Sequence, residues 1–130
     1  MARYFTREEA EALLPEITVV LRKIQEGRRS VQVIEEELEE LHARSKGNGH
    51  HLYGRTMKLQ SDLAAYVHVL RNAADELQSF GCVLKDPDIG LIDFPSLRDG
   101  QEVYLCWQLG EERILFWHYM HTGFAGRQPL

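Results

Sequence analysis

The hydrophobic pattern of this chain falls into two regimes. Between residues 16 and 80, apolar or small side chains recur three and four apart; from Cys82 onward the period shortens to two. The first stretch, Glu16 to Ala43, carries Ile17, Val20, Ile24, Gly27, Val31, Ile34, Leu38 and Leu41 without a slip. The second, Leu52 to Phe80, repeats it through Leu52, Thr56, Leu59, Leu63, Tyr66, Leu70, Ala73, Leu77 and Phe80. Each is the heptad signature of a helix that buries a narrow seam against another helix. Reversing the chain at Ser45–His51, which holds Gly47 and Gly49, predicts an antiparallel hairpin with arms roughly 40 Å long. Folded there, the seams pair Ile17 with Leu77, Ile24 with Leu70 and Leu38 with Thr56, and set Gly27 opposite Tyr66. Small against large gives this glycine a packing reason, although it costs about 1 kcal/mol relative to alanine in a helix. Leu21, Val33, Val67 and Val69 lie off the seams and need cover from the rest of the chain or from a second copy.

Upstream, Arg3-Tyr4-Phe5 reads as a short extended stretch suited to a sheet edge. Thr6 and Glu9 form a capping box, with Phe5 placed to staple Ala10, so a helix starts at Arg7. Pro15 removes a helical hydrogen bond and predicts a kink or restart, which makes the preceding residues a short leading helix. Gly81 ends the second arm as a C′ glycine.

Past Gly81 the alternation predicts strands at Cys82–Leu84 and Ile89–Phe94 around a turn at Lys85–Asp88, then a loop over Pro95–Gln101. Further strands follow at Glu102–Leu109 and Glu112–His118, joined by Gly110-Glu111 as a two-residue type II′ hairpin. That register opposes Val103 to His118, Leu105 to Phe116 and Trp107 to Ile114. It collects His118 on the apolar face and leaves Tyr104, Cys106, Gln108, Arg113, Leu115 and Trp117 on a mixed one; a slip of one residue would exchange the faces. Tyr119–Leu130 has no period but carries Phe124 and Leu130, so it reads as an ordered irregular tail. The fold class expected is α+β. A single domain, 1–130, comprises a helical hairpin part (1–80) and a small, mostly antiparallel sheet with its tail (81–130).

Composition adds limits more than chemistry. The chain has 130 residues, 44% hydrophobic and 27% charged, enough for a core and typical of a folded domain. A net charge of −5 disfavours nucleic acid as a partner. No apolar run approaches a membrane span and no apolar signal region opens the chain, so a cytoplasmic protein without membrane contact is expected. Two cysteines, Cys82 and Cys106, have no metal-type spacing and read as thiols, with mid-strand Cys106 a small buried apolar residue.

Candidate chemistry concentrates after residue 81. His118 and His121, three apart, could share a divalent metal with Glu111, Asp93 or Cys106; the competing reading makes His118 a core histidine. Asp93 and Glu111 could act as paired carboxylates, while Lys85, Arg98 and Arg127 could bind a small anion beside Trp117. An Arg127–Asp93 ion pair that locks the tail explains two of these residues more simply. Glu35, Glu36, Glu37, Glu39 and Glu40 read as a solvated flank before a metal face, and His50 and His51 as exposed loop residues. No phosphate loop, dinucleotide fingerprint, nucleophile elbow or zincin helix is present.

The strings Gly90-Leu91-Ile92-Asp93-Phe94-Pro95, Val103-Tyr104-Leu105-Cys106-Trp107, Gly110-Glu111, Trp117-His118 and Gly123-Phe124-Ala125-Gly126-Arg127-Gln128-Pro129-Leu130, with Tyr4-Phe5-Thr6, resemble a bacterial family of unknown function, DUF2203. The resemblance spans essentially the whole chain and implies a bacterial cytoplasmic protein without implying an activity. Its motif residues fall here on Asp93, Trp107, Gly110, Glu111, Trp117, His118, Gly123, Phe124, Gly126 and Arg127; Tyr119 stands where relatives often carry an acid. Two functions remain as expectations. One is an interaction or regulatory module that self-associates through its helices into a homo-oligomer or docks a protein partner. The other is a metal- or small-anion-binding domain, an enzyme or not, with a site near Asp93, Glu111, Trp117, His118 and Arg127.

Overall fold

The capping box closes as its residues dictate. The Thr6 N–H donates to Glu9 Oε1 (2.9 Å) and the Glu9 N–H to Thr6 Oγ1 (3.1 Å). From it runs α1, Arg7–Arg44, 38 residues and so about 57 Å long. In this computed structural model, which describes residues 3–44 and 52–130, α1 is continuous through Pro15, with neither the restart nor a separate leading helix. The proline removes one intrahelical donor; the turns on either side carry the helix, and the Thr18 hydroxyl donates to the Leu14 carbonyl at 2.7 Å. The second helix, α2, spans Tyr53–Ser79 and stops where Gly81 (φ 94°) turns the chain, its N–H reaching the Gln78 carbonyl at 2.9 Å. The predicted tip Ser45–His51, with His50 and His51, lies outside the described residues.

The helices pack against each other, but the seam sits about one turn from its expected register. A methyl carbon added to Gly27 would meet Leu70 Cδ2 at 2.7 Å, so Leu70 and not Tyr66 faces the glycine; Tyr66 is 40% exposed. Two cores result. The larger joins Phe5, Ala10, Leu14, Ile17, Val20, Leu21 and Ile24 to Ala73, Leu77 and the inner face of the sheet. The smaller, in the distal arm, holds Ile34, Leu41 and Leu59 with Leu38, Leu52 and Leu63 against them. Leu21, off the seam, is covered by this main core, whereas Val33, Val67 and Val69 stay exposed.

Five antiparallel strands follow in chain order: β1 Val83–Asp86, β2 Leu91–Arg98, β3 Gln101–Gln108, β4 Phe116–Tyr119 and β5 Gln128–Pro129. Gln25 and Arg28 of α1 hold the β1–β2 turn, through the Pro87 and Asp88 carbonyls and the Asp88 carboxylate.

Two strand expectations are corrected. First, Pro95 does not open a loop: β2 continues to Arg98, and a tight reversal at Asp99-Gly100 leads into β3. The proline is tolerated because its carbonyl accepts the Phe5 N–H at 2.8 Å, on the edge that β1 has already left. Its nitrogen faces that same edge, so no β2–β3 ladder bond is lost. Arg3-Tyr4-Phe5 thus lies along the sheet edge without being a strand, secured by the Ser96 hydroxyl to the Phe5 carbonyl (2.6 Å) and by Tyr4 to Glu102.

Second, β4 starts at Phe116, and its register is one residue from expectation: Val103 opposes Tyr119, Tyr104 opposes His118, Leu105 opposes Trp117 and Cys106 opposes Phe116. The reason is local. Gly110 (φ 106°) occupies the third position of a turn closed by the Glu111 N–H to the Gln108 carbonyl (3.0 Å), and residues 109–115 form a longer connection in place of a two-residue hairpin. One residue of slip exchanges the faces of β4. Trp117 goes inward to the helices, and His118 goes outward. No helix among the described residues is long and apolar enough to cross a membrane.

Candidate functional site

The register places three ligand-bearing side chains together on the face of the sheet turned away from the helices. Asp93 on β2 is the direct cross-strand partner of Cys106 on β3, and His118 on β4 reaches over β3 from the other side. His118 Nε2 lies 3.0 Å from Asp93 Oδ2. One ligand atom from each of Asp93, Cys106 and His118 falls within 4.8 Å of the others, and among the described residues this is the group so arranged. All three residues are 1% exposed.

The imidazole is oriented by its other nitrogen. Nδ1 stands 2.7 Å from the Tyr119 carbonyl, which can only accept, so Nδ1 carries a proton. Nε2 is then the nitrogen free to bind a proton or a metal. Nε2 faces the carboxylate oxygen Oδ2 at 3.0 Å, and a divalent cation can be held between the two side chains. The second carboxylate oxygen, Asp93 Oδ1, is buried with no nitrogen or oxygen donor against it, and the donor beside the Asp93 carboxylate is the Cys106 thiol. A lone buried acceptor on a carboxylate is costly unless something charged or donating meets it. Burial, first, and then the adjacent Asp93 charge push the Cys106 thiol up to about 12, while Arg127 draws it down. Without a metal it is therefore an inert thiol, and coordination is what would make it a thiolate. Cys82, pushed up to about 11 by burial, gives its thiol to the Leu77 carbonyl and belongs to the helix-side core.

Beside the trio stands a second pair. Arg127 Nη2 donates to both carboxylate oxygens of Glu111, at 2.8 and 3.0 Å, in place of the expected Arg127–Asp93 pair. Its guanidinium lies 4.1 Å from the centroid of Phe116, the cross-strand partner of Cys106, and 4.8 Å from that of Phe124. Glu111 is fixed in turn: Oε1 accepts the Gln108 N–H (2.7 Å) and its carbonyl accepts the Trp107 indole N–H (2.9 Å). The tail that delivers Arg127 is ordered by one 3-10 turn, Phe124–Gly126, and by β5 pairing with β4.

Of the residues singled out from sequence, Asp93 and His118 converge, and Glu111 and Arg127 meet as an ion pair next to them. Asp93 and Glu111 do not form a carboxylate pair, each being held by a different cation or imidazole. His121 is not a companion of His118: it is exposed and stacks on Tyr119 at 5.8 Å. Trp117 lies in the helix-side core under Arg98 (4.6 Å), while Lys85 lies over Tyr104 (5.1 Å), so these cations do not gather round an anion beside the indole. Cys106, weighed from sequence as a companion ligand but favoured as an apolar filler, joins Asp93 and His118 through the observed β2–β3 and β3–β4 registers. The glutamates of α1 remain a flank, with Glu37 paired to Arg55 at 2.6 Å.

No curated protein and no solved structure matches the chain. One family model does match, over residues 3–130, and by that match the chain belongs to the family described as an uncharacterized conserved protein, DUF2203.

Proposed function

We propose that this protein is a metal-binding domain that holds a divalent ion of the zinc class between Asp93, Cys106 and His118. The observation that carries the reading is the trio itself: a carboxylate, a thiol and an oriented imidazole nitrogen, all buried and within 4.8 Å of one another. A thiol with an imidazole selects a borderline-soft transition ion over magnesium or calcium. The Nδ1–carbonyl bond supplies the outer contact that such histidines use. Thiols kept free for coordination suit a reducing compartment, the bacterial cytoplasm that the family resemblance implies.

Elemental mass spectrometry of the purified, untagged protein tests this, alongside Cys106→Ser and His118→Gln variants checked for folding by circular dichroism. Near-stoichiometric zinc or a neighbouring transition metal in the parent, lost in folded variants, is expected. A metal-free parent that also shows no heat on zinc titration would sink the proposal.

A second reading, self-association through the helical arm, is favoured by one observation. Val33, Tyr66, Val67 and Val69 are 61, 40, 38 and 50% exposed on a hairpin whose second helix buries three residues, Leu59, Ala73 and Leu77. Sedimentation equilibrium decides it: a homo-oligomer that dissociates in Tyr66→Glu supports it, and a monomer at all concentrations removes it.

A further inference from the structure

Two buried side-chain atoms of the described residues lack a hydrogen-bond partner, Asp93 Oδ1 and Arg127 Nε, and both belong to the outer face of the sheet. The open Arg127 Nε–H points to an acceptor in that neighbourhood, because buried polar atoms are rarely unpaired, whereas the open Asp93 oxygen, itself an acceptor, is suited to the cation. Arg127 reaches that neighbourhood over Phe116, whose cross-strand partner is Cys106. Three protein ligands leave a tetrahedral zinc-class ion one position to fill.

Charge says what would fill it. A divalent ion balances the Asp93 carboxylate and a Cys106 thiolate, and Arg127 balances Glu111. An additional anion needs an uncompensated positive charge, and the group able to release one is Glu111, whose side chain is 25% exposed against 2% for that of Asp93. Glu111 already shows what Arg127 donates to, two oxygens of one planar anion, both met by Nη2 alone while Nε stays open.

We infer that the site binds a small oxyanion, a carboxylate or phosphate group, between the bound metal and Arg127, with Glu111 occupying the guanidinium when that ligand is absent. The inference rests on the metal-binding reading. Asp93, Cys106 and His118 hold the ion, Arg127 recognises the ligand, and Glu111 is an internal competitor for Arg127.

Cobalt(II) titrated into the metal-free protein separates the two claims. A thiolate charge-transfer band and tetrahedral visible bands report the metal site; inorganic phosphate and acetate are then added in separate titrations. A saturable shift of the visible bands is expected with at least one anion, phosphate alone assigning a phosphoryl ligand and acetate alone a carboxylate. Arg127→Gln should abolish the shift while keeping the cobalt bands, and Glu111→Gln, which can still accept the Gln108 N–H, should tighten anion binding by about tenfold. Cobalt bands that neither anion moves, or a Glu111→Gln affinity equal to or weaker than the parent's, overturn the oxyanion inference and leave the metal reading standing. Absent cobalt bands overturn both.

Discussion

Gly27 is a residue at which two local rules compete. Alanine is the better helix former by about 1 kcal/mol. Yet its methyl would come within 2.7 Å of Leu70 Cδ2 and 3.0 Å of Cγ, closer than packed carbons approach. The second of these atoms is a branch point that rotation about χ2 does not move, and overpacking typically costs about 1 to 3 kcal/mol. Gly27→Ala should therefore lower stability by about 1 kcal/mol in urea unfolding, with an unchanged m-value. A stabilised Gly27→Ala would show that the seam relaxes around the methyl. At this scale the sequence was informative about identity and weak about neighbours. It singled out Gly27 as a packing residue but gave it Tyr66, since a heptad pattern specifies which face is buried and leaves the longitudinal offset of the two seams open. Asp93 and His118 were candidates for the same reason, by residue type, and their meeting depended on a register that composition does not carry.

Elements were legible where a pattern repeats and illegible where one residue decides. The two helices emerge from eight or nine seam positions each, so a single odd residue such as Pro15 cannot mislead about their existence. The sheet depends on its turns. Asp99 (φ 52°) and Gly100 (φ 78°) both adopt the left-handed backbone of a type I′ hairpin, and Asp-Gly is a strong signal for it. Pro95 masked that signal, because a proline argues against a paired strand unless one edge is free. The connection before β4 failed in the opposite sense, a short-hairpin signal at Gly110-Glu111 being overridden by Glu111 bonding back to Trp107 and Gln108. Asp99 supplies the test at this level. Asp99→Asn should be neutral, whereas Asp99→Val, β-branched at positive φ, should cost roughly 1 to 2 kcal/mol in thermal unfolding. An Asp99→Val protein as stable as its parent would mean that the hairpin is not held in this conformation.

For the whole molecule, the inner face of the sheet and the root of the helical hairpin share one apolar core, and the outer face carries the polar site. The division places a cluster of ionisable groups on the layer that contributes least to helix–sheet packing. It also accounts for what could be read in advance: α+β architecture follows from two periodicities, while the location of a site follows from which way four residues of β4 face.

Among the described residues strand pairing joins only neighbours along the chain, and the two helices are neighbours too. The hydrogen bond between Ser96 and Phe5 spans 91 residues, and the Phe5 ring meets Phe94 edge-on at 5.2 Å. Closing so large a loop is entropically expensive, whereas hairpins close cheaply and early. Helical hairpin and meander should therefore assemble separately, with the Phe5 junction closing after the rate-limiting barrier. In stopped-flow chevrons Phe5→Ala should then accelerate unfolding and leave the refolding rate nearly unchanged. Refolding slowed in proportion to the lost stability would instead make this junction the nucleus on which both halves condense.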